Sequence, residues 1–246
     1  MIPLHDDTPT RRFPFVTVAI IAACVLVYLW QFVLPAPADA RFVYALGFIP
    51  AVWFDGRTLP AELAMVPTVA TALTSMFLHG GFMHLAGNML YLWIFGNNVE
   101  DAMGHARFVA FYVISGIVAV AAHGLSDPAS TTPLVGASGA IAGVLGAYLL
   151  LHPKARVLVL IPLGIIFWTM RLPAVVVLVG WFGLQFLQVA IGGGGNVAWW
   201  AHIGGFVAGI AMIPIFKERG VLLFDRARPR GRSGVPLVSR RRGPWG

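Results

Sequence analysis

The feature that most constrains this chain is a series of apolar runs nearly free of charge, at about residues 13–34, 82–100, 106–123, 138–152, 172–190 and 199–216. A bilayer core takes roughly 20 residues of helix to cross, and runs of this kind suit it. Inside hydrocarbon the backbone has no water to bond, so each run is expected to be helical. Composition agrees: 58% of the 246 residues are hydrophobic and 11% are charged, against roughly 25% charged in an average soluble domain. The expected fold is an all-α membrane protein, a polytopic bundle of six transmembrane helices. Its parts are an N-terminal segment 1–12, a membrane domain 13–216 and a basic tail 217–246. Arg11 and Arg12 precede the first run as they would in a secretory signal. That run is too long for a signal's apolar stretch, however, and "PAPADA" is a weak cleavage site, so the helix is expected to be retained.

The net charge is +7, yet its distribution excludes nucleic acid as the partner. Alternate loops carry it: Arg11 and Arg12, then Arg107, then Lys154, Arg156 and Arg171, then Lys217, Arg219 and the tail through Arg240, Arg241 and Arg242. The intervening loops hold only Arg41 and Arg57. By the positive-inside rule both termini face the cytoplasm, with a bacterial plasma membrane as the expected setting. The tail is rich in Pro, Gly and Arg without an apolar period and is expected to be disordered, either resting on anionic headgroups or simply fixing topology. The long external loop, 35–81, carries Trp53 and Phe54 and is expected to touch the interface. The segment 157–168, "VLVLIPLGIIFW", is short and holds Pro162 and Gly164, which suits a partly buried or interfacial piece rather than a span. Cys24 is the only cysteine, so neither a disulfide framework nor a cysteine zinc site can form. No internal repeat is visible, which weighs against a transporter.

Polar groups at membrane depth are costly and need partners or a wet cavity. Four stand out: His84 and Asn88 early in the second run, Ser138 opening the fourth, and His202 early in the sixth. These three runs all enter from outside, so the four side chains share one depth near the external face. His84 and Asn88, four apart, lie on one helix face. Gly136, Gly139 and Gly143 surround Ser138, while Gly205 and Gly209 follow His202. Small-xxx-small spacings of this kind let helix backbones approach closely, which would bring Ser138 to His202.

A serine beside a histidine is the minimum apparatus for acyl transfer, the imidazole taking and returning the proton. The oxyanion that forms needs donors, and His84, Asn88 and the Ser138 N–H are suitable. No orienting carboxylate is at hand, so the expectation is a dyad. Taken singly, each residue has a blander reading: a serine in a glycine-rich helix usually packs, and polar pairs in membranes usually glue helices together. Their coincidence at one depth favours chemistry. His79 and His84 lack an HExxH pattern, and neither metal nor cofactor is expected. The run Gly136-Ala-Ser138-Gly-Ala140 is not a G-x-S-x-G elbow.

At these residues the chain resembles the rhomboid family of intramembrane serine proteases. "GASG" around Ser138 is similar to the family's nucleophile motif, "HGGFMHLAGN" to its HxxxN element at His84 and Asn88, and "AHIGGFVAG" to the segment bearing the base at His202. The likeness extends over roughly residues 13–216. It implies cleavage of transmembrane protein substrates within or near the lipid bilayer, in a water-filled cavity open to the outside. It also implies a structural role for Glu100. Two family features are missing: Ala142 stands where some bacterial members have an aromatic residue against the base, and loop 35–81 has no adjacent Trp-Arg pair. The runner-up expectation is a non-catalytic rhomboid-like protein that binds transmembrane segments, which loss of Ser138 or His202 would have favoured.

Overall fold

A computed structural model describes residues 1–164, 166–191 and 198–224. In chain order it contains strand β1 (Ile2–Asp6), helix α1 (Phe15–Val33) and the short helices α2 (Ala36–Leu46), α3 (Pro50–Phe54) and α4 (Thr68–Thr74). There follow α5 (Phe82–Met103), α6 (His105–Ser126), α7 (Ser138–Leu151), strands β2 (Arg156–Leu163) and β3 (Ile166–Pro173), and helices α8 (Ala174–Ala190) and α9 (Trp199–Phe216). The distal tail, 225–246, and with it most of the expected disorder, lies outside the described residues.

Each of the six apolar runs contains a helix. Helices α1, α6 and α9 are individually long and apolar enough to cross a membrane, and α5 qualifies together with Ala61–Phe77, from which it is bent by 82°. Helices α7 and α8, of 14 and 17 residues, are shorter.

The expectation of an all-α chain needs correction. β1, β2 and β3 form an antiparallel sheet in that order, with Ile2 opposite Leu160 and Asp6 opposite Val157, and with Arg156 opposite Pro173. The physical reason lies in 157–168, where an apolar run too short for a span is broken by Gly164 at φ +66°, a left-handed conformation that reverses the chain. Strand β2, rich in Val, Leu and Ile, and β3, which carries Phe167, Trp168 and Met170, then satisfy each other's backbone, and the N-terminus adds a third. Loop 35–81 is likewise not irregular. Pro35, Pro50 and Pro67 sit at the starts of α2, α3 and α4, where a missing N–H costs nothing. Phe48, buried, stacks near Trp53 with ring centroids 5.2 Å apart and pairs through its backbone with Leu134, pinning the loop to the approach of Ser138.

Helix α7 is the hub. Every residue from Gly139 to Tyr148 is buried. A Cβ on Gly139 would fall 2.5 Å from Ala119 of α6, and one on Gly143 would strike Ser115. From the other side, Gly205 and Gly209 press the α9 backbone onto the carbonyls of Gly139 and Gly143. Leu26, Leu29 and Phe32 of α1 and Val179, Leu184 and Phe186 of α8 are exposed, the pattern of a bundle whose outer surface faces lipid.

At the end of α5 remote from His84, Glu100 is spent on structure. Its buried carboxylate accepts from the amides of Val16 and Thr17 at 2.9 and 2.8 Å and from the Thr17 hydroxyl at 2.7 Å, capping α1. An anion suits the positive end of a helix. His105 Nδ1 contacts the same carboxylate at 2.6 Å. Nearby, Asp6 accepts from Tyr148 of α7 at 2.6 Å and from Asn98 of α5 at 3.0 Å, so the N-terminal strand ties those helices together.

Candidate active site

Ser138 is the first residue of α7, and this follows from the local sequence: small residues flank it, and Gly136 ahead of it has φ +124°. With 14 residues, α7 is ~21 Å long at ~1.5 Å per residue, whereas the hydrocarbon core is ~30 Å thick. A helix of that length reaching one face starts well below the other. Being at a helix N-terminus also leaves the Ser138 amide without an intrahelical acceptor and directed toward incoming negative charge.

His202 lies in the first turns of α9 and is buried. Its Nε2 is 2.8 Å from Ser138 Oγ, although 64 residues separate the two in sequence. With the ring proton on Nδ1, Nε2 accepts from the hydroxyl, the arrangement a general base requires. The close contact of α7 and α9 at Gly139, Gly205 and Gly209 sets this distance.

His84 and Asn88, on one face of α5, converge on Gly136. A Cβ at that position would fall 2.7 Å from the His84 ring and 3.7 Å from Asn88 Nδ2. The Gly80 amide donates to His84 Nδ1 at 3.4 Å, which leaves the proton on Nε2, the atom turned toward Gly136. Asn88 Nδ2 is buried and has no partner among the described residues. Two donors thus point to the segment leading into Ser138, and one is unsatisfied, as a site awaiting an acceptor would be. Gly136 itself is held by its amide donating to Ser75 O at 2.9 Å. A small cavity beside Ser138 is lined by Met76, Gly116, Ala119, Leu134 and Ala201.

Two aromatic residues escaped sequence reasoning. Trp181 of α8 lies 5.7 Å from the His202 ring at 41°, and Trp199, one turn before His202, meets it edge-on at 6.1 Å. Trp181 also touches Tyr91 and Phe206. These rings flank the imidazole where Ala142, fully buried, offers nothing to stack on. Glu100 and Asp101 are occupied at the other end, the former with α1 and the latter with Arg11 and Arg12. Among the described residues no group of three His, Cys, Asp or Glu side chains is placed to hold a metal ion.

Fold and site together define a class: a mostly helical integral membrane protein that holds a hydroxyl and an imidazole in hydrogen-bonding contact inside its bundle. Comparison with known proteins supplies the family. The Rhomboid domain matches residues 67–219, and the chain belongs to the rhomboid family. It is 35% identical over 140 residues to Rhomboid protease GluP of Bacillus subtilis, covering 57% of this chain and 25% of that protein. Identity to Rhomboid protein 1, mitochondrial, of Saccharomyces cerevisiae is 32% over 124 residues, or 48% and 36% of the two chains. With RHOMBOID-like protein 5 of Arabidopsis thaliana it is 43% over 77 residues, or 31% and 25%. The matched region is therefore 25% to 36% of the length of these three relatives.

Proposed function

We propose that this chain is an intramembrane serine endopeptidase that cleaves transmembrane protein substrates near the outer side of the bilayer. Ser138 is the nucleophile and His202 the general base. As Ser138 Oγ bonds to the scissile carbonyl carbon, its proton passes to His202 Nε2. The oxyanion is met by the Ser138 N–H, His84 Nε2–H and Asn88 Nδ2–H. Collapse breaks the C–N bond, His202 returns the proton to the leaving amine, and water hydrolyses the acyl-enzyme by the same route. The observation that carries this reading is the 2.8 Å contact between His202 Nε2 and Ser138 Oγ. The relative named as a protease, GluP, supports it.

In this reading the six apolar runs are six spans of a membrane domain 13–216, with the N-terminal segment 1–12 and the tail 217–246 in the cytoplasm. The charge rule puts both termini in the cytoplasm; a bacterial plasma membrane is the proposed setting, with relatives in Bacillus subtilis and others named as mitochondrial.

The test is to label purified full-length protein with a fluorophosphonate and to follow cleavage of a model transmembrane substrate. The native chain is expected to be labelled and active. Ser138→Ala is expected to lose both while melting at about the native temperature, because alanine suits this small-residue interface. Undiminished cleavage by Ser138→Ala would end the serine-protease reading. A labelled chain that binds but cuts no transmembrane substrate would leave a segment-binding protein.

A further inference from the structure

The β2–β3 hairpin is more apolar than its contacts among the described residues account for. Its base is part of the core: Val157 and Val159 are fully buried, and β1 pairs only with Val157–Leu160. Beyond that point the hairpin overhangs. Consecutive residues Phe167 and Trp168 are 66% and 61% exposed, and Met170 and Pro162 are exposed as well. Successive strand residues point to opposite faces, so both faces of β3 are uncovered toward the turn. Large apolar side chains grouped in this way mark an interaction surface.

The faces are ordered. Cross-strand pairs put Trp168 beside Ile161 and Met170 beside Val159, on the face whose inner part lies against the bundle. That face runs from buried valines to exposed Trp168 without a break in polarity, as it passes from under the helices to beyond their edge. What lies beyond the edge of a membrane bundle at its cytoplasmic end is the headgroup region. Hydrocarbon depth is excluded, because β3 is an edge strand whose outer N–H and C=O groups need polar partners. Tryptophan favours the boundary between headgroups and acyl chains. The charges agree: Lys154, Arg156 and Arg171 are exposed at the hairpin's base, and the sequence contains no Asp or Glu between Asp127 and Glu218. Of the acids paired beside the hairpin, Asp6 of β1 is buried, and Asp7, just beyond that strand, accepts from the Arg156 amide at 2.7 Å.

We propose that the free end of the β2–β3 hairpin is a lipid-binding element seated in the cytoplasmic leaflet, its Phe167, Trp168 and Met170 at the acyl boundary and its basic base on anionic headgroups. It rests on the membrane orientation given above and not on the chemistry of Ser138. Its consequence for the site is mechanical. β3 runs into α8 without a linker, so the seated hairpin fixes the cytoplasmic end of the helix whose Trp181 flanks His202.

The test uses the full chain carrying Cys24→Ala and one nitroxide, at Met170→Cys or at Thr169→Cys, with Phe167 and Trp168 intact. The protein is reconstituted in phosphatidylcholine vesicles with or without phosphatidylglycerol. Collision with oxygen and with a water-soluble nickel chelate is measured by power saturation. Both labels are expected to be several-fold more accessible to oxygen than to nickel, with Met170 the more shielded, and a label at Asp55→Cys in the external loop is expected to show the reverse. Replacing Lys154, Arg156 and Arg171 together by Gln is expected to shift both hairpin labels toward nickel in phosphatidylglycerol vesicles only. Nickel accessibility equal to that at Asp55 would overturn the proposal. So would spin–spin broadening that persists as the protein is diluted in lipid, since a second copy would then cover the strand. Repeating the measurement with Ser138→Ala separates this result from the fate of the protease reading.

Discussion

Gly136 is where the site's chemistry and backbone meet. Its φ of +124° and the 2.7 Å that a Cβ would leave to the His84 ring both demand glycine there, so the HxxxN face of α5 and the entry to Ser138 are one fitted unit. If His84 and Asn88 serve the oxyanion, they matter more to the transition state than to the bound substrate. Asn88→Ala and His84→Ala are therefore expected to lower kcat with little change in KM. A single donor in a soluble serine protease accounts for on the order of 10²–10³ in kcat, and a hydrated cavity reduces that because water substitutes. The double variant is expected to lose less than the product of the two singles, since groups that act on one oxygen are not additive. Steady-state kinetics on the three variants checks this. Full activity in both singles, with only a lowered melting temperature, would make the pair structural.

Among the elements, β1 does something its composition does not announce. Asp6 is 4% exposed and bridges α5 and α7 through Asn98 and Tyr148. Burial pushes its carboxyl above the ordinary range, and hydrogen bonds from Tyr148 and Thr8 offset this only in part. A raised carboxyl binds its proton more tightly in the folded chain than in the unfolded one. Its contribution to stability is then complete below the unfolded value, about 3.9, and is lost as pH rises through the higher folded value. Asp6→Asn keeps an oxygen for Tyr148 and Asn98 but cannot ionise. The variant is expected to gain on the native chain in thermal stability as pH rises from about 4 to 7; a difference that stayed constant over that interval would show that Asp6 does not titrate there. The sheet to which β1 belongs was not legible in the sequence, for a physical reason. A short apolar run suits a buried strand or a helix segment equally well, and only the left-handed Gly164 and a partner strand at the N-terminus decide between them. The long helices were legible because lipid demands continuous apolar runs. The short helices α2, α3 and α4 were not, since each is held by contacts such as Trp53 Nε1 to Thr71 at 3.0 Å rather than by its own periodicity. The meeting of Ser138 with His202, and of His84 and Asn88 at Gly136, was legible because polar groups at membrane depth are costly and need partners. Trp181 was not, because an aromatic in an apolar helix reads the same whether it faces lipid or an imidazole.

For the molecule as a whole, the distribution of cations carries the proposed orientation, and the fold gives those cations further work. Arg11 lies 3.2 Å from Asp101 and Arg12 lies 2.6 Å from Glu218, so the N-terminal segment, the end of α5 and the residue beyond α9 are joined at one end of the bundle. Arg12 in turn holds the Glu218 carboxyl below its ordinary value. Such partly exposed pairs contribute little each to stability. Pairing also leaves the orientation signal intact, since the positive-inside rule counts Lys and Arg in short loops and is not a net-charge rule. The sheet and the basic residues Lys154, Arg156 and Arg171 belong to the same end as these pairs, through Asp6, Asn98 and Tyr148. Loop 35–81, fastened at Phe48 to Leu134 near the start of α7, belongs to the other, and so does Ser138. One experiment therefore tests span count, sheet placement and site depth together. Single cysteines at Asp7, Lys154 and Arg219 are expected to resist a membrane-impermeant maleimide added outside intact cells, and one at Asp55 is expected to react. Reaction at Arg219 with protection at Asp7 and Lys154 would turn 157–168 into a crossing, whereas reaction at Lys154 with protection at Asp7 would put the α7 hub upside down. Uniform protection of all four would instead place loop 35–81, and the mouth of the Ser138 cavity with it, on the inner side of the membrane.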